Sequence, residues 1–371
     1  MEKLVMDNLF GGVYKDKTVL LTGHTGFKGS WLALWLHQMG AKVIGYSLPA
    51  PTEPNHILLL DLDIISIIGD IRDLDALNTT FATYKPDIVF HLAAQSLVRF
   101  SYEAPIETYE TNVMGTLKVF EACRTHNVKA IVNITSDKAY ENREWVWGYR
   151  ENDPMGGYDP YSSSKGCADL LANSYRNSYF NPVDYKKSHN TLLASCRAGN
   201  VIGGGDWAKE RLMTDIMLSV SKGKKVSIRN PNATRPWQHV LEPLSGYLAI
   251  GQKLLEEKVE FGEAWNFGPS DEGSITVEEV VHHVKKHWDK IDYEINRDLH
   301  QFHEANLLKL DCSKAHIRLK WKDVWDSETA FEKTLLWYKY FYENNVATTV
   351  QNLDDYVQNA RQKKLSWTRE W

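Results

Sequence analysis

The 371-residue sequence is poor in cysteine, has no block of basic residues and has no long apolar run. Its four cysteines lie far apart and form no C-x-x-C pair, which excludes a disulfide framework and indicates reduced thiols. Lysine and arginine are interspersed with acidic residues and the net charge is -5, so we expect no surface for nucleic acid or anionic lipid.

The apolar segments are also too short to target or anchor the chain. The N-terminal residues MEKLVMDNLFGGVYKDK lack the apolar core of a signal peptide. The segment ILLLDLDIISII at 57–68 is interrupted by two aspartates and is too short to span a bilayer. We therefore expect a protein of the cytoplasm with no membrane partner.

The first half of the sequence alternates short apolar runs with helical stretches. The runs predict buried parallel strands at 18–22, 42–47, 87–93, 130–135 and 191–196. The stretches between them predict helices at 29–40, 73–84 and 110–126. Such alternation is typical of an α/β fold with a Rossmann-type doubly wound parallel sheet.

The pattern loosens after residue 197. Helices are predicted near 208–222, 241–257, 276–288 and 327–344, joined by turns rich in glycine and proline. We expect residues 1–197 to form a dinucleotide-binding domain that carries the catalytic residues. Residues 198–371 would form a smaller C-terminal α/β lobe that binds the substrate, with some strands crossing between the two parts.

A glycine turn follows the first predicted strand, in TGHTGFKGSWL. Gly23 permits the tight turn, Gly26 lets the backbone approach a pyrophosphate, and Gly29 lets the next helix pack on the strand. Glycines also mark ordinary turns, but their position after the first strand of a βαβ series favours dinucleotide binding.

Other residues at neighbouring strand ends are predicted to contact the same dinucleotide. The second strand ends in Tyr46 and Ser47, which are neither the carboxylate typical of NAD sites nor the arginine typical of NADP sites. Asp70 closes a short third strand, where a carboxylate can bind the adenine amino group. The predicted cofactor contacts beyond the glycines are Thr25, Phe27, Lys28, Ser47, Asp70, Ile71, Leu92, Ala93 and Ala94, together with Tyr161 and Lys165.

Tyr161 and Lys165 lie four residues apart in YDPYSSSKGCADLL, at the start of a predicted helix. Residues at this spacing share a helix face, so Lys165 can lower the pKa of the Tyr161 phenol while it binds the nicotinamide ribose. Tyr161 would then be the general base of a hydride transfer. Standing alone, the pair would indicate a surface helix, but the glycine turn upstream favours catalysis.

The predicted strand at 130–135 ends in the polar sequence ITSDKAY. Ser136, Asp137 and Lys138 would bring a hydroxyl, a carboxylate and an ammonium to the sheet edge where ligands bind. We predict that all three are catalytic. The alternative for Lys138 is a structural role at the strand end.

These motifs together resemble the extended short-chain dehydrogenase/reductase superfamily. More narrowly, TGHTGFKGSWL, TSDKAYENREWVWGYRE, GGYDPYSSSKG, RAGNVIGGGDWA and NPNATRPWQHVLEPLSGYL resemble the CDP-glucose 4,6-dehydratases over roughly residues 15 to 340. The resemblance implies a homodimer, NAD as a recycled cofactor and a CDP-hexose substrate. It implies oxidation of the sugar at C4, loss of water across C5 and C6, and reduction at C6.

The resemblance also implies roles for the polar strand end. In relatives that act on dTDP-glucose, an aspartate and a glutamate occupy the positions that match Asp137 and Lys138. Asp137 would thus be the acid that protonates the leaving C6 hydroxyl. Lys138 would either be held neutral and act as the base at C5, or stay charged and stabilise the enolate.

The substrate end of the site is predicted from residues in the second half and from Gln95. A guanidinium binds phosphate in a bidentate way, which suits Arg235 for a diphosphate, and Asn200 matches a family position whose amide contacts the phosphates. Trp237 would either stack on cytosine or pack in the core. His303 lies where the family closes the nucleotide pocket. We expect no metal, because His283 and His287 share a helix face without a third ligand.

Two other functions are compatible with parts of this pattern. A catalytically silent dinucleotide sensor would use the same fold, but it would not need Ser136, Tyr161 and Lys165. Another nucleotide-sugar 4,6-dehydratase or a 4-epimerase would use the same redox residues, and an epimerase would not need the acid and base of water elimination.

Overall fold

The computed structural model describes residues 6–209, 211–228, 231, 234–269, 274–295 and 307–369, with residues 234, 235, 274 and 275 described by their backbone alone. Within these ranges, none of the helices has both the length and the apolar character needed to cross a membrane.

The strands, numbered along the chain, are β1 Thr18–Thr22, β2 Lys42–Ser47, β3 Ile65–Ile68, β4 Ile88–His91, β5 Ala130–Ile134, β6 Leu192–Ala198, β7 Val201–Ile202, β8 Val226–Ile228, β9 Thr234–Pro236, β10 Gln238–His239, β11 Ala264–Phe267, β12 Ser274–Thr276 and β13 Tyr293–Ile295. Seven of them form one parallel sheet in the order β11-β6-β5-β4-β1-β2-β3. The order reverses between β1 and β4, which is where open α/β sheets bind ligands.

The remaining strands form three small two-stranded sheets. β7 pairs with β10 and β8 pairs with β13 in parallel, whereas β9 pairs with β12 in antiparallel. All three pairs are separate from the large sheet.

The helices, numbered in the same way, are α1 Phe27–Gln38, α2 His56–Leu60, α3 Leu74–Tyr84, α4 Val98–Glu103, α5 Pro105–Tyr109, α6 Thr116–Thr125, α7 Pro160–Ser178, α8 Leu212–Ser221, α9 Leu241–Leu255, α10 Val277–His287, α11 Ser327–Asn344 and α12 Thr349–Gln362. A π-helical stretch, Glu110–Gly115, joins α5 to α6. Side-chain caps begin several of these helices: Asp73 caps α3, Asp159 caps α7 and Asp326 caps α11.

Helices cover both faces of the sheet. On one face, α1, α9 and α12 pack around a core that includes Trp31, Trp35, Leu248 and Tyr356. On the other face, α3, α6 and α7 enclose a second core. A third core lies among α8, α10 and α11. Because helices cover both faces of the sheet, its strands are continuous apolar runs in the sequence.

The two ends of the described chain meet on the α1 face. The ring of Phe10 stacks on Trp367, with centroids 5.1 Å apart and an angle of 9° between their planes. Trp367 also contacts Trp35 of α1 edge to face at 5.7 Å. The last residues described are therefore part of the core that supports the first βα unit.

The doubly wound parallel sheet and its predicted strands are confirmed. β1 and β2 have the predicted bounds, whereas α8 begins at Leu212 rather than near 208. Among the elements that were not predicted are β11, which adds a seventh strand beside β6, and α12, which packs on α1. The short helices α2, α4 and α5 and the strands of the three small pairs were not predicted either. The division into parts at residue 197 stays a prediction.

Candidate active site

A cavity of about 690 Å³ opens at the carboxyl ends of the sheet strands. It runs from the glycine turn after β1, past the ends of β2 and β4, to the ends of β5 and β6 and the start of α8. The sheet topology places it at the reversal of strand order, so nearly all predicted site residues that the structure describes line it or adjoin it.

The glycine turn forms a close cradle at one end of this cavity. Gly23 has φ +79°, and a Cβ atom there would lie 2.8 Å from the amide nitrogen of Ala93. Gly26 is the N-cap of α1 and makes no side-chain cap, so the first amides of the helix are available to a bound anion. The cradle and the positive helix end fit the pyrophosphate of a dinucleotide.

The predicted adenosine contacts lie at the ends of β2 and β3. Ser47 donates to the hydroxyl of Thr25 at 2.7 Å, and Thr25 donates to the carbonyl of Leu48 at 3.0 Å. Asp70 is paired with Arg72 at 2.6 Å, and this hydrogen-bonded pair holds the pKa of Asp70 below its usual range. Ile71 is buried against Gly115. The Asp70 carboxylate is thus ionised at the edge of the cavity.

Lys28 lies inside the cavity rather than in solvent. Its Nζ is 3.5 Å from the hydroxyl of Tyr247 on α9. Burial lowers the pKa of Lys28 to about 8, and the charge of Arg211 acts in the same direction while that of Asp137 opposes it. The side chain therefore lies beside Tyr247 and within the electrostatic range of Asp137, which follows β5.

Tyr161 and Lys165 come together through the start of α7. Asp159 caps this helix and Pro160 fixes its first position, so Tyr161 lies in the first turn and Lys165 one turn later. Both side chains are largely buried, at 9% and 7% exposed. The Nζ of Lys165 donates to the carbonyl of Ile134, at the end of β5, at 3.4 Å.

Burial shifts the pKa of both groups toward their neutral forms. The pKa of Tyr161 is raised to about 12 by burial, against which a hydrogen bond with Ser136 acts. The pKa of Lys165 is lowered to about 8 by burial, against the charge of Asp169. Lys165 was predicted to lower the pKa of this phenol, whereas the strongest cationic effect on the pKa of Tyr161 comes from Arg211.

Ser136, Asp137 and Lys138 lie together where β5 ends. Ser136 donates to Asp137 Oδ1 at 2.9 Å, and its own hydroxyl oxygen accepts the amide of Lys138 at 3.2 Å. This bond caps a 3-10 turn, Asp137–Ala139, which turns the chain out of the sheet. Asp137 is 3% exposed and Lys138 is half-buried, and both line the cavity.

The predicted substrate contacts are described unevenly. Asn200 lines the cavity beyond β6. Gln95 also lines it, but its side-chain amide is bonded to Leu97 and to the Thr108 hydroxyl. Trp237 is 8% exposed and packs on Phe331 at 5.8 Å, so core packing accounts for most of its surface.

The side chains of two further predicted residues, Arg235 and His303, are not described. Only the backbone of Arg235 is described, in β9 opposite Ile275. His303 lies outside the described residues.

Arg211 lines the site and was not predicted. Its Nη1 donates to Asp206 at 2.7 Å and its Nη2 donates to the hydroxyl of Ser96 at 3.3 Å. It is the N-cap residue of α8 and follows the glycine-rich sequence GGGDWA by a few residues. A basic residue soon after a glycine-rich turn at a helix start was the available signal.

Comparison with known proteins agrees with this arrangement. The family described as GDP-mannose 4,6 dehydratase matches residues 20–334. The chain belongs to this family. Its place in the extended short-chain dehydrogenase/reductase superfamily, inferred above from the motifs, is thereby confirmed.

Two individual relatives are 4,6-dehydratases that differ in the nucleotide of the sugar in their names. The chain is 53% identical to a CDP-glucose 4,6-dehydratase of Salmonella typhimurium over 350 residues, which are 93% of this chain and 97% of that protein. It is 27% identical to dTDP-glucose 4,6-dehydratase 1 of Escherichia coli, over 73% of this chain and 77% of that one.

Solved structures share the fold at lower identity. An epimerase from Methanothermobacter thermautotrophicus superposes with a TM-score of 0.79 at 24% identity, covering 91% of this chain and 96% of that one. A dTDP-glucose 4,6-dehydratase from Bacillus anthracis, in complex with NAD, superposes with a TM-score of 0.72 at 23% identity, covering 88% and 98%.

Proposed function

We propose that this protein is an enzyme, a hydro-lyase that converts CDP-D-glucose to CDP-4-keto-6-deoxy-D-glucose. The observation that carries the proposal is the meeting of two sets of residues in one cavity. A redox set, Ser136, Tyr161 and Lys165, and an elimination pair, Asp137 and Lys138, all line this cavity. The 53% identity to a CDP-glucose 4,6-dehydratase supports the choice of substrate.

NAD is the proposed cofactor. The cradle of Gly23 and Gly26 and the uncapped start of α1 would hold its pyrophosphate, and Lys165 would bind its nicotinamide ribose. When bound, NAD supplies the acceptor for the C4 hydride and later the donor for C6. Lys28 lies beside the hydroxyl of Tyr247, and we infer that it is not committed to a 2′-phosphate, which supports NAD over NADP.

Tyr161 is the proposed base of the oxidation. Its phenol would take the C4 hydroxyl proton while Ser136 donates to the same oxygen. A phenol whose pKa is raised to about 12 needs nearby positive charge to ionise at neutral pH. Lys165 and Arg211 are the protein cations proposed to supply it.

Asp137 and Lys138 are proposed to remove water from the 4-keto sugar. The ketone acidifies the proton at C5, so a modest base suffices to remove it. Asp137 would protonate the leaving hydroxyl at C6. Lys138 would act either as a neutral base at C5 or as a charged group that stabilises the enolate.

The diphosphate and base of the substrate would lie toward the second half of the chain. The Asn200 amide and the Arg235 guanidinium are proposed to bind the diphosphate. Gln95, which also lines the cavity, is proposed as a further substrate contact. Trp237 and His303 are kept as candidates for the cytosine end, with core packing the better account of Trp237.

We further propose that the enzyme acts in the cytoplasm as a homodimer. Large apolar side chains on α5, the π-helical stretch and α7 are exposed in the single chain, namely Ile106 at 74%, Met114 at 46% and Leu170 at 56%. Burial of such a surface against a second copy would remove apolar area from water.

The test is incubation of the purified protein and NAD with CDP-, dTDP-, UDP- and GDP-glucose, with products followed by NMR. We expect the 4-keto-6-deoxy product from CDP-glucose above the others, and none from Tyr161→Phe, which keeps the ring and removes the phenol. A C4 epimer without loss of water would identify an epimerase. Binding without turnover of any substrate would identify a sensor.

A further inference from the structure

A buried ion pair lies directly behind the site, and the proposed reaction leaves it without a role. Asp169 on α7 and Arg197 on β6 are 3% and 4% exposed. Nε and Nη2 of Arg197 donate to the two carboxylate oxygens of Asp169, each at 3.1 Å. Burying two charges costs desolvation free energy that their attraction often only balances, so stability alone is a weak reason for the pair.

Asp169 connects the catalytic helix to the end of β5. It follows Lys165 by one helical turn, on the same face of α7. The hydroxyl of Thr135 donates to Asp169 Oδ2 at 2.6 Å. Since Thr135 directly precedes Ser136, one carboxylate fixes the strand end relative to the helix that carries Lys165.

Arg197 connects the ion pair to Tyr140, which directly follows the 3-10 turn Asp137–Ala139. Its Nη1 donates to the hydroxyl of Tyr140 at 2.6 Å, and its guanidinium lies 4.9 Å from the centre of the Tyr140 ring. Tyr140 in turn donates to Asn266 Oδ1, on β11, at 2.8 Å. The side chain of Tyr140 is completely buried, so bulk solvent does not compete with these hydrogen bonds.

Thr135 and Tyr140 are therefore the two ends of one short segment, and both are bound to one ion pair. Between them lie Ser136, Asp137 and Lys138, the groups that the proposed oxidation and elimination use. We propose that Asp169 and Arg197 are positioning residues that hold segment 135–140 against α7, so that both sets of reacting groups face one sugar. The inference rests on the proposed function, because it assigns these groups to one reaction.

The consequence is kinetic rather than a matter of affinity. Displacement of a reacting group by about 1 Å can cost about 100-fold in rate, while ligand binding to other parts of the cavity persists. Loosening the segment should thus lower kcat and leave KM and the affinity for NAD nearly unchanged. A residue that only stabilised the fold would not produce this division.

The experiment loosens each end of the segment without leaving a buried charge unpaired. Thr135→Val keeps the side-chain shape and removes the hydroxyl that binds Asp169, and Thr135→Ser restores a hydroxyl. Tyr140→Phe removes the hydroxyl that binds Arg197 at the other end. Thr80→Val is the matched control, since Thr80 is a buried threonine on α3 whose hydroxyl binds a backbone carbonyl of its own helix.

We expect Thr135→Val and Tyr140→Phe each to lower kcat for CDP-glucose at least about tenfold, with KM within about twofold of wild type. Thr135→Ser should recover most of kcat, and Thr80→Val should retain it. Wild-type kcat in both Thr135→Val and Tyr140→Phe would overturn the inference, as would a loss that Thr135→Ser fails to recover. If wild type itself did not turn over CDP-glucose, the proposed function would fail instead.

Discussion

A Cβ atom on Gly29 would lie 2.0 Å from the carbonyl oxygen of Gly23. The first turn of α1 therefore rests on the backbone of the glycine turn itself, and the two cannot separate without opening the cradle proposed for the pyrophosphate. The spacing of Gly23 and Gly29 is a packing requirement as well as a signature of nucleotide binding.

Gly29→Ala should consequently destabilise the protein and abolish NAD binding. Backbone atoms cannot move aside as a flexible side chain can, so we expect a loss of about 1–3 kcal/mol or more in the free energy of unfolding. Thermal unfolding and NAD titration measure the two effects. Gly268→Ala is the control, because its Cβ would meet only ordinary contacts at 3.5 Å or beyond. Unchanged NAD affinity in Gly29→Ala would contradict the role proposed for the glycine turn in NAD binding.

The activity should fall as the pH rises through about 8. The pKa of Lys165 is lowered to about 8 by burial, so its ammonium is lost above that pH, and with it the charge that helps Tyr161 ionise. The profile of kcat/KM reports this pKa in the free enzyme. In Lys165→Arg the group stays charged at every accessible pH, so any residual activity should lack this alkaline limb. A wild-type profile that is flat to about pH 10 would exclude the assignment.

Lys138→Met should separate the two halves of the reaction. With CDP-glucose the variant should still reduce bound NAD, because Ser136, Tyr161 and Lys165 are intact. Release of the 6-deoxy product should fall by at least about 100-fold, and deuterium from the solvent should no longer enter at C5.

Lys138→Arg distinguishes the two roles open to this residue. Arginine keeps the positive charge but cannot become a neutral base, so retained elimination would favour enolate stabilisation and lost elimination would favour the base. Normal dehydration by Lys138→Met, with C5 exchange unchanged, would remove Lys138 from the mechanism and leave Asp137 to act as both acid and base.

Glu242 provides a test of the fold away from the site. Its carboxyl group is completely buried and accepts the amides of Val324 and Trp325 at 2.9 and 2.8 Å and the hydroxyl of Tyr356 at 2.8 Å. Burial raises the pKa of Glu242 to about 8. The backbone amides of Val324 and Trp325 bind different oxygens of Glu242. In Glu242→Gln, one of these N–H groups must therefore face the side-chain NH2 group, which cannot accept a hydrogen bond.

We expect Glu242→Gln to lose about 1–3 kcal/mol in the free energy of unfolding, measured by urea denaturation. Glu103→Gln, on the exposed surface of α4, should lose almost nothing. Equal stability of Glu242→Gln and wild type would mean that the two amide bonds contribute little.

The sequence predicted those parts of the fold in which burial leaves a continuous pattern. β1 and β2 were predicted with their exact bounds because parallel strands covered on both faces are apolar throughout. β11 was missed because Ala264–Phe267 is only four residues long and includes an asparagine. The signal for α12 was present, since Leu353, Tyr356, Val357 and Ala360 are spaced as one helix face and all are buried.

The residues at and around the site were likewise predicted only where the pattern is local. Gly23 and the pair Tyr161 and Lys165 were predicted because their spacing is local, and one glycine turn or one helical turn defines each geometry. Arg197 and Asp169 are 28 residues apart, and they meet only because β6 lies beside β5. Contacts of this kind depend on strand order, which no short motif in the sequence encodes.

The stacking of Phe10 on Trp367 has a consequence for folding kinetics. The two rings lie near opposite ends of the described chain, so their contact closes a very long loop, and contacts of such high sequence separation slow folding. Until that loop closes, Trp35 of α1 lacks its contacts with Trp367 and Tyr356, and an aromatic face of the first βα unit is open to water.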